Sequence, residues 1–541
     1  MSDGPVRHAD VEALLASFAA LGDRPALTFY RARTRIGGLG YRELLAAVGR
    51  ATRRLRDELG LRPGDALAVL SPNRLEVPPL LFAAMRLGLT LVPLNPTTPP
   101  ADWDYIIEHA RVTAVFGTRD LLARLIRAPK LVCAFEDEPA VAADEPSALA
   151  PVAQVPPAEA APAIVLYTSG TTGNPKGVAL MQSNLLANAW SMAVNFRLSG
   201  ETQLAVLPLY HAHALGFGLM SALTTGGHLV FVEKFDPFSW ADVIRAESVT
   251  LTSVVPTLLA PLLQVGLKRE RVPGLRAILV SSAPLTATLA REFEAKAGVP
   301  LVEGWGLSEY TNFACCLSPF LPEEERRRRL IGDELTSIGS PLSGTEVKIV
   351  GPNGETLGAE ERGELCVRGH STMRAYFRDP AATAAVLSED GWLRTGDEGF
   401  FRIFSGGSAG SGTDPVFFIT GRIKETIIRD GDKYSPLAIE RQLLVDLPEL
   451  EGRLVALGFP HEAHGEEIGV YLEQEAVDDV LRTRLTAAVN AMPMDQRPKV
   501  VLFGAAPIPR THTGKIQRRK LHPIFAPYAK SRGALRIDPV A

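Results

Sequence analysis

The sequence predicts an α/β fold. A large N-terminal domain holds parallel βαβ sheets, part of it is a small β-rich subdomain, and a smaller α+β domain follows. Three observations predict this. Apolar runs of strand length alternate with helical stretches of ten or more residues, the pattern of βαβ units. Beyond residue 340 the pattern changes to shorter strands broken by Asn-Gly and Asp-Gly turns. From residue 422 onward a further stretch has its own α/β pattern and is long enough for a separate core. The domains are therefore placed at 1–421, with 340–421 as the β-rich part, and at 422–541.

In chain order, residues 10–59 read as helical, with a short strand at 26–29. Residues 64–70 are a turn and a buried strand, 76–87 an apolar-faced helix and 89–94 the next strand. Residues 138–162 are rich in Ala, Pro and Glu and lack periodicity, so they read as a loop. A strand at 163–167 follows, then a Gly/Thr-rich loop, then a helix at 182–196. Residues 204–211 read as a strand ending at His211, and 227–232 and 277–282 as two more. The β-rich part contributes 347–350, 363–367 and 392–393. Residues 405–414 are a Gly/Ser low-complexity loop. They contain Gly406-Gly407-Ser408-Ala409-Gly410, which matches the hydrolase nucleophile elbow only formally. That elbow needs a helix after the serine, and no helical pattern precedes Pro415.

Composition narrows the class. The chain has 541 residues, 46% of them hydrophobic and 22% charged, the range of ordinary globular proteins. Net charge is −4, which gives no electrostatic case for nucleic acid. The basic run Arg326-Arg327-Arg328-Arg329 directly follows Glu323-Glu324-Glu325, so it reads as a solvated helix face with paired charges. Cys133, Cys315, Cys316 and Cys366 form neither a disulfide framework nor a C-x-x-C zinc pattern. There is no apolar leader and no run of about twenty apolar residues. A cytoplasmic enzyme with no membrane span is the default expectation.

The chemistry centres on Tyr167-Thr168-Ser169-Gly170-Thr171-Thr172-Gly173-Asn174-Pro175-Lys176-Gly177. Its glycines let the backbone approach a ligand, and successive N–H groups in such a turn make an anion nest. Hydroxyls and an ammonium add donors with no negative charge among them. Such a loop suits a polyphosphate. It is not the NTPase P-loop, because Lys176 lies between Pro175 and Gly177. It resembles instead the signature of the adenylate-forming enzymes, among them acyl-CoA synthetases, luciferases and peptide-synthetase adenylation domains. The resemblance extends over nearly the whole chain, with its motifs in the family's order.

Further motifs fit that resemblance. In Gly304-Trp305-Gly306-Leu307-Ser308-Glu309 an aromatic flanked by glycines can stack on a flat base, and a carboxylate beside phosphates calls for a hard cation such as Mg²⁺. The resemblance puts Trp305 on adenine, Ser308 on the α-phosphate and Glu309 on Mg²⁺; Trp305 stands where tyrosine is commoner. Ser281-Ser282-Ala283-Pro284 resembles the adenine-lining turn. Arg394-Thr395-Gly396-Asp397 resembles the motif whose aspartate takes both ribose hydroxyls, and a carboxylate's two acceptors suit a diol. Thr420-Gly421-Arg422-Ile423-Lys424-Glu425 resembles the hinge, with Arg422 on ribose and phosphate and Lys424 at the pivot of a mobile small domain. Thr511-His512-Thr513-Gly514-Lys515 resembles the loop whose lysine reaches the active site during adenylation, where an ammonium stabilises the charge that develops at phosphorus.

The resemblance thus implies that ATP and a carboxylic acid give an acyl adenylate and pyrophosphate, with Thr168, Lys176, Glu309, His211 and Lys515 as the catalytic candidates. The acceptor expected next is CoA, since Gly431 falls where the family keeps a glycine beside the thiol tunnel. Asp430 departs from the usual glycine before it. A carrier-protein thiol or an amine remains an alternative acceptor, and a non-catalytic nucleotide-binding relative a remote one. Tyr210-His211-Ala212-His213-Ala214-Leu215-Gly216-Phe217-Gly218 has no carboxylate for an α-ammonium, so an aryl or apolar acyl acid is expected rather than an amino acid. In such relatives a histidine gates the pocket; His211 and His213 also suit a purely structural role.

Overall fold

The computed structural model describes residues 7–138, 149, 161–168, 174–331, 335–404, 414–511, 514–531 and 535–540. Among these, two large sheets and one smaller sheet carry the architecture. The first runs through thirteen strands. Its parallel part is ordered Pro25–Arg31, His228–Val232, Thr202–Ala205, Leu251–Val254, Ala277–Val280, Leu301–Gly306. The second has seven strands, with Ile164–Thr168, Thr90–Leu94, Ala66–Leu70, Val112–Gly117 and Leu131–Ala134 running parallel. Ala66–Leu70 is buried at every position, as expected for a parallel strand covered on both faces. The expected parallel βαβ fold is therefore present.

The β-rich part continues the first sheet with antiparallel strands. Leu393–Phe404 and Asp414–Arg422 form a long hairpin, flanked by Gly363–Gly369 and Thr345–Val350 on one side and Ser337–Pro341 on the other. The Gly/Ser segment at its tip, with the nucleophile-elbow match, lies outside the described residues, as does most of 138–162. Residues 427–539 build the third sheet, with apolar clusters on both faces and the helices Pro436–Asp446 and Asp479–Ala491.

Several local expectations need correction. Residues 10–59 hold the helices Val11–Ala19 and Tyr41–Arg53, the second continued by a π-helical segment Arg54–Glu58, around a hairpin whose second strand, Thr34–Gly40, is too glycine-rich to show alternation. The strand expected at 204–211 stops at Ala205. Beyond it Pro208 lacks an N–H, and the buried Asn73 side chain takes over the pairing: its amide donates to Leu207 and Val232 carbonyls and its oxygen accepts from Leu209 N–H. Lys176–Leu180 is a strand pairing antiparallel with Ile164–Thr168, so two hairpin arms flank the phosphate motif. The helix Gln182–Phe196 has the expected bounds. Helix Glu323–Leu330 pairs its charges as expected, but it is not merely a solvated face. Arg326 and Arg329 are buried, with Arg326 held by Glu294 and Arg329 by Glu325. All four cysteines are buried free thiols.

Candidate active site

The site is assembled where the first sheet's strand ends meet the phosphate hairpin and the loop bearing Lys515. Strand Leu301–Gly306 ends in Gly304-Trp305-Gly306 and passes into the 3₁₀ turn Ser308–Tyr310, which sets out Ser308 and Glu309. Gly306 is required there. A Cβ at that position would stand 1.7 Å from the Asn312 carbonyl oxygen.

Glu309 is placed from two directions. Its backbone carbonyl accepts from Met373 N–H at 2.7 Å, and its Oε1 accepts from the Tyr376 hydroxyl at 2.8 Å. Tyr376 lies on a two-residue strand that pairs with Val178, beside Lys176 on the second arm of the phosphate hairpin. The Lys176 ammonium stands 4.9 Å above the Tyr376 ring, a cation–π geometry. Burial, then the Glu309 carboxylate, pushes the Tyr376 phenol far above its ordinary range, so it stays a donor. Sequence reasoning missed Tyr376 because a lone Ala-Tyr pair carries no motif. At the base of the loop the Thr168 hydroxyl donates to the Lys176 carbonyl at 3.4 Å. Ser169, Gly170, Thr171, Thr172 and Gly173 lie outside the described residues.

A second cluster adjoins the first. Trp305 Nε1 donates to Asp397 Oδ2 at 2.9 Å, and Arg422 Nε pairs with Asp397 Oδ1 at 3.1 Å. Asp397 and Arg422 face each other across the hairpin of Leu393–Phe404 and Asp414–Arg422. The turn before Asp397 is held by Glu364, which accepts from Gly396 N–H and binds Arg394. Ala283 and Pro284 follow Ser282, whose φ is +73°. His211 stacks edge-on with Tyr210, rings 4.5 Å apart.

Lys515 joins these groups from the third sheet. Its loop closes through Thr511 N–H to the Lys515 carbonyl at 2.7 Å and Lys515 N–H to Thr511 Oγ1 at 3.1 Å. Burial, with help from the nearby Arg422 guanidinium, pushes the Lys515 ammonium down to about 8, while Asp397, Glu309 and Glu425 oppose that shift. The lysine therefore shares one electrostatic neighbourhood with Arg422, Asp397 and Glu309. The loop is anchored by the buried Arg518, which pairs with Glu425 of the 3₁₀ turn Ile423–Glu425 at 2.6 Å and with Glu440 at 2.7 Å. Gly431 lies elsewhere, at a hairpin turn with φ +91°. Its neighbour Asp430 takes φ +54° and pairs with His464 at 2.7 Å.

No cluster of three or more His, Cys, Asp or Glu side chains suited to a metal occurs among the described residues. One carboxylate still fits Mg²⁺, which keeps waters and relies on substrate phosphates for its other ligands. Glu309 offers Oε2 for that purpose.

The AMP-binding enzyme family model matches residues 15–377, two thirds of the chain and most of the motifs above. The chain belongs to that family. It is 34% identical to the sulfoacetate–CoA ligase of Cupriavidus necator over 92% of each chain. It is 31% identical to the feruloyl-CoA synthase of an Amycolatopsis species, over 93% of this chain and 97% of that one. The fold matches ATP-bound MatB from Rhodopseudomonas palustris with a TM-score of 0.80 at 26% identity, covering 96% and 100% of the two chains. It also matches the Bacillus subtilis o-succinylbenzoate CoA synthetase in complex with its acyl-adenylate, with a TM-score of 0.76 at 25% identity, covering 94% and 97%.

Proposed function

We infer that this AMP-binding enzyme is an acid–thiol ligase. It activates a carboxylic acid with ATP and passes the acyl group to the thiol of CoA. The convergence of Lys515, Arg422, Asp397 and Glu309 on one neighbourhood carries the reading.

In the first step a carboxylate oxygen attacks the α-phosphorus of ATP, and the bond to pyrophosphate breaks. Trp305 supplies a flat face for adenine, with Ala283 and Pro284 beside it, and Asp397 with Arg422 receives the ribose. Thr168 and Lys176, with the loop between them and Ser308, hold the phosphates. Lys515 stabilises negative charge on the attacking carboxylate and on the pentacoordinate phosphorus. Glu309, oriented by Tyr376, would hold Mg²⁺, which when bound neutralises phosphate charge. In the second step the CoA sulfur attacks the acyl carbon and AMP departs.

Further parts of the reading are proposals of the same kind. The chain divides into 1–421 and 422–541 with the pivot at Lys424. Gly431 lies beside the path of the CoA thiol in the second step. His211 borders the acid, an aryl or apolar acyl acid. The enzyme is cytoplasmic; no helix among the described residues is long and apolar enough to cross a membrane. The test is incubation with ATP, Mg²⁺, CoA and a panel of acids, read by mass spectrometry. An acyl-CoA and AMP are expected. Acyl-AMP that accumulates with CoA present, while a carrier protein or amine is acylated, would overturn the acceptor assignment.

A further inference from the structure

His213 and Asn312 are among the buried polar side chains that have an atom with no partner. His213 precedes the helical segment Ala214–Met220, and Asn312 precedes the strand Phe313–Cys316; each is 5% exposed. His213 Nδ1 is matched to Ser282 Oγ at 3.1 Å, and its ring stands edge-on to Phe313 at 5.1 Å. His213 Nε2 and Asn312 Nδ2 have no hydrogen-bond partner. Both belong to one wall. Asn312 Nδ2 presses on Gly216, about one helical turn beyond His213, where an added Cβ would stand 2.6 Å away. The Asn312 carbonyl presses on Gly306, so this wall continues into Gly304-Trp305-Gly306.

Buried polar groups nearly always find partners, because an unmatched one forfeits its hydration. Ser282, which positions the imidazole, holds a left-handed φ of +73° without being glycine, the kind of local strain that persists at functional sites. The neighbours that these contacts name, Gly216, Ser282 and Phe313, are uncharged. Burial alone, with no charged neighbour contributing, pushes the imidazole down to about 3, so it is neutral at working pH.

We propose that His213 and Asn312 form a neutral polar subsite that reads an uncharged oxygen group, a hydroxyl or carbonyl, on the acid being activated. The assignment rests on the acid–CoA ligase reading above. A hydroxyl oxygen accepts from Asn312 Nδ2–H, and it either donates to His213 Nε2 or accepts from it, according to the tautomer. A second carboxylate or a sulfonate would be buried with no counter-charge. A plain hydrocarbon would leave both protein groups unmatched, the situation in which sites built to bond a hydroxyl reject its absence.

The test uses two matched sets of acids with ATP, Mg²⁺ and CoA. One set is 3-phenylpropanoate with its 4-hydroxy and 4-carboxy derivatives; the other is hexanoate, 6-hydroxyhexanoate and hexanedioate. In at least one set the hydroxyl acid should exceed both partners in kcat/KM by about tenfold or more. His213→Phe and Asn312→Leu should each reduce that preference to within about threefold, and His213→Gln, which restores a polar atom near Nε2, should retain it. Thermal unfolding identifies any variant that does not fold, and the wild-type ranking then decides alone. A preference for the plain or the doubly anionic acid in both sets overturns the subsite. So does a hydroxyl preference that survives both apolar substitutions. If no acid of either set yields AMP, the ligase reading fails and the subsite falls with it, an outcome distinct from active turnover with the wrong ranking.

Discussion

The Trp305 indole N–H donates to Asp397 Oδ2 at 2.9 Å, while Arg422 occupies Oδ1 of the same carboxylate at 3.1 Å. The two residues are 92 positions apart in the chain. In the proposed mechanism, the aromatic assigned to the base thereby fixes the carboxylate assigned to the ribose.

Trp305→Phe keeps an aromatic face and removes the donor. A hydrogen bond to a charged group contributes about 1.5–3 kcal/mol, and Arg422 remains to hold part of the geometry. The KM for ATP should rise about tenfold, and the discrimination between ATP and 2′-deoxy-ATP should shrink. An unchanged ratio of kcat/KM for the two nucleotides would show that the indole N–H does not position Asp397.

The second prediction concerns pH. The proposed mechanism uses the Lys515 ammonium, whose folded-state value is lowered to about 8. Adenylation measured as kcat/KM for ATP should therefore be present below pH 8 and fall as pH rises through it. Bound ATP is anionic and favours the ammonium, so the same limb in kcat should lie at higher pH. A flat profile to pH 9.5 would separate Lys515 from the rate.

Much of this site is legible in the sequence because its residues come in contiguous motifs. Gly304-Trp305-Gly306-Leu307-Ser308-Glu309 brings the residues proposed for base, phosphate and metal within six positions, and Thr511 and Lys515 close one loop together. What sequence reasoning misses are single residues whose partners are remote. Tyr376 meets Glu309 across 67 positions, and Asn73 replaces a strand ladder with bonds to residues 134 to 159 positions away. The false strand at 206–211 has the same origin: its apolar run is genuine burial, but a side chain and not a neighbouring strand satisfies its backbone. Arg326 and Arg329 look solvated because a charge run hides which members turn inward.

The third prediction follows from Tyr376. Tyr376→Phe should lower the adenylation rate about tenfold and raise the Mg²⁺ concentration for half-maximal rate, because Glu309 loses its orienting donor. Glu309→Gln should have the larger effect on both. Wild-type Mg²⁺ dependence in Glu309→Gln would remove Glu309 as the ligand.

The fourth concerns Arg518. Arg518→Met leaves the buried Glu440 and its neighbour Glu425 without their cation, a loss of about 3–5 kcal/mol for a broken buried pair. Burial already raises the Glu440 carboxyl above its ordinary value, and Arg518 opposes that rise. Without the guanidinium the folded value rises further. The variant's stability deficit should then be small at low pH, where Glu440 takes a proton, and grow as pH rises through the new folded value. Thermal unfolding from pH 5 to 8 measures it; a deficit independent of pH would assign the loss to packing alone.

The most direct test of the account separates the two half-reactions in Lys515→Ala. The first is acid-dependent pyrophosphate release from ATP, and the second is thioester formation from supplied acyl-AMP and CoA. Losing a charge contact that acts in only one transition state costs orders of magnitude in that step alone. The account predicts a loss of about a hundredfold or more in pyrophosphate release, with thioester formation within about threefold of the unsubstituted enzyme. Equal losses in both halves, or an intact first half, would contradict it.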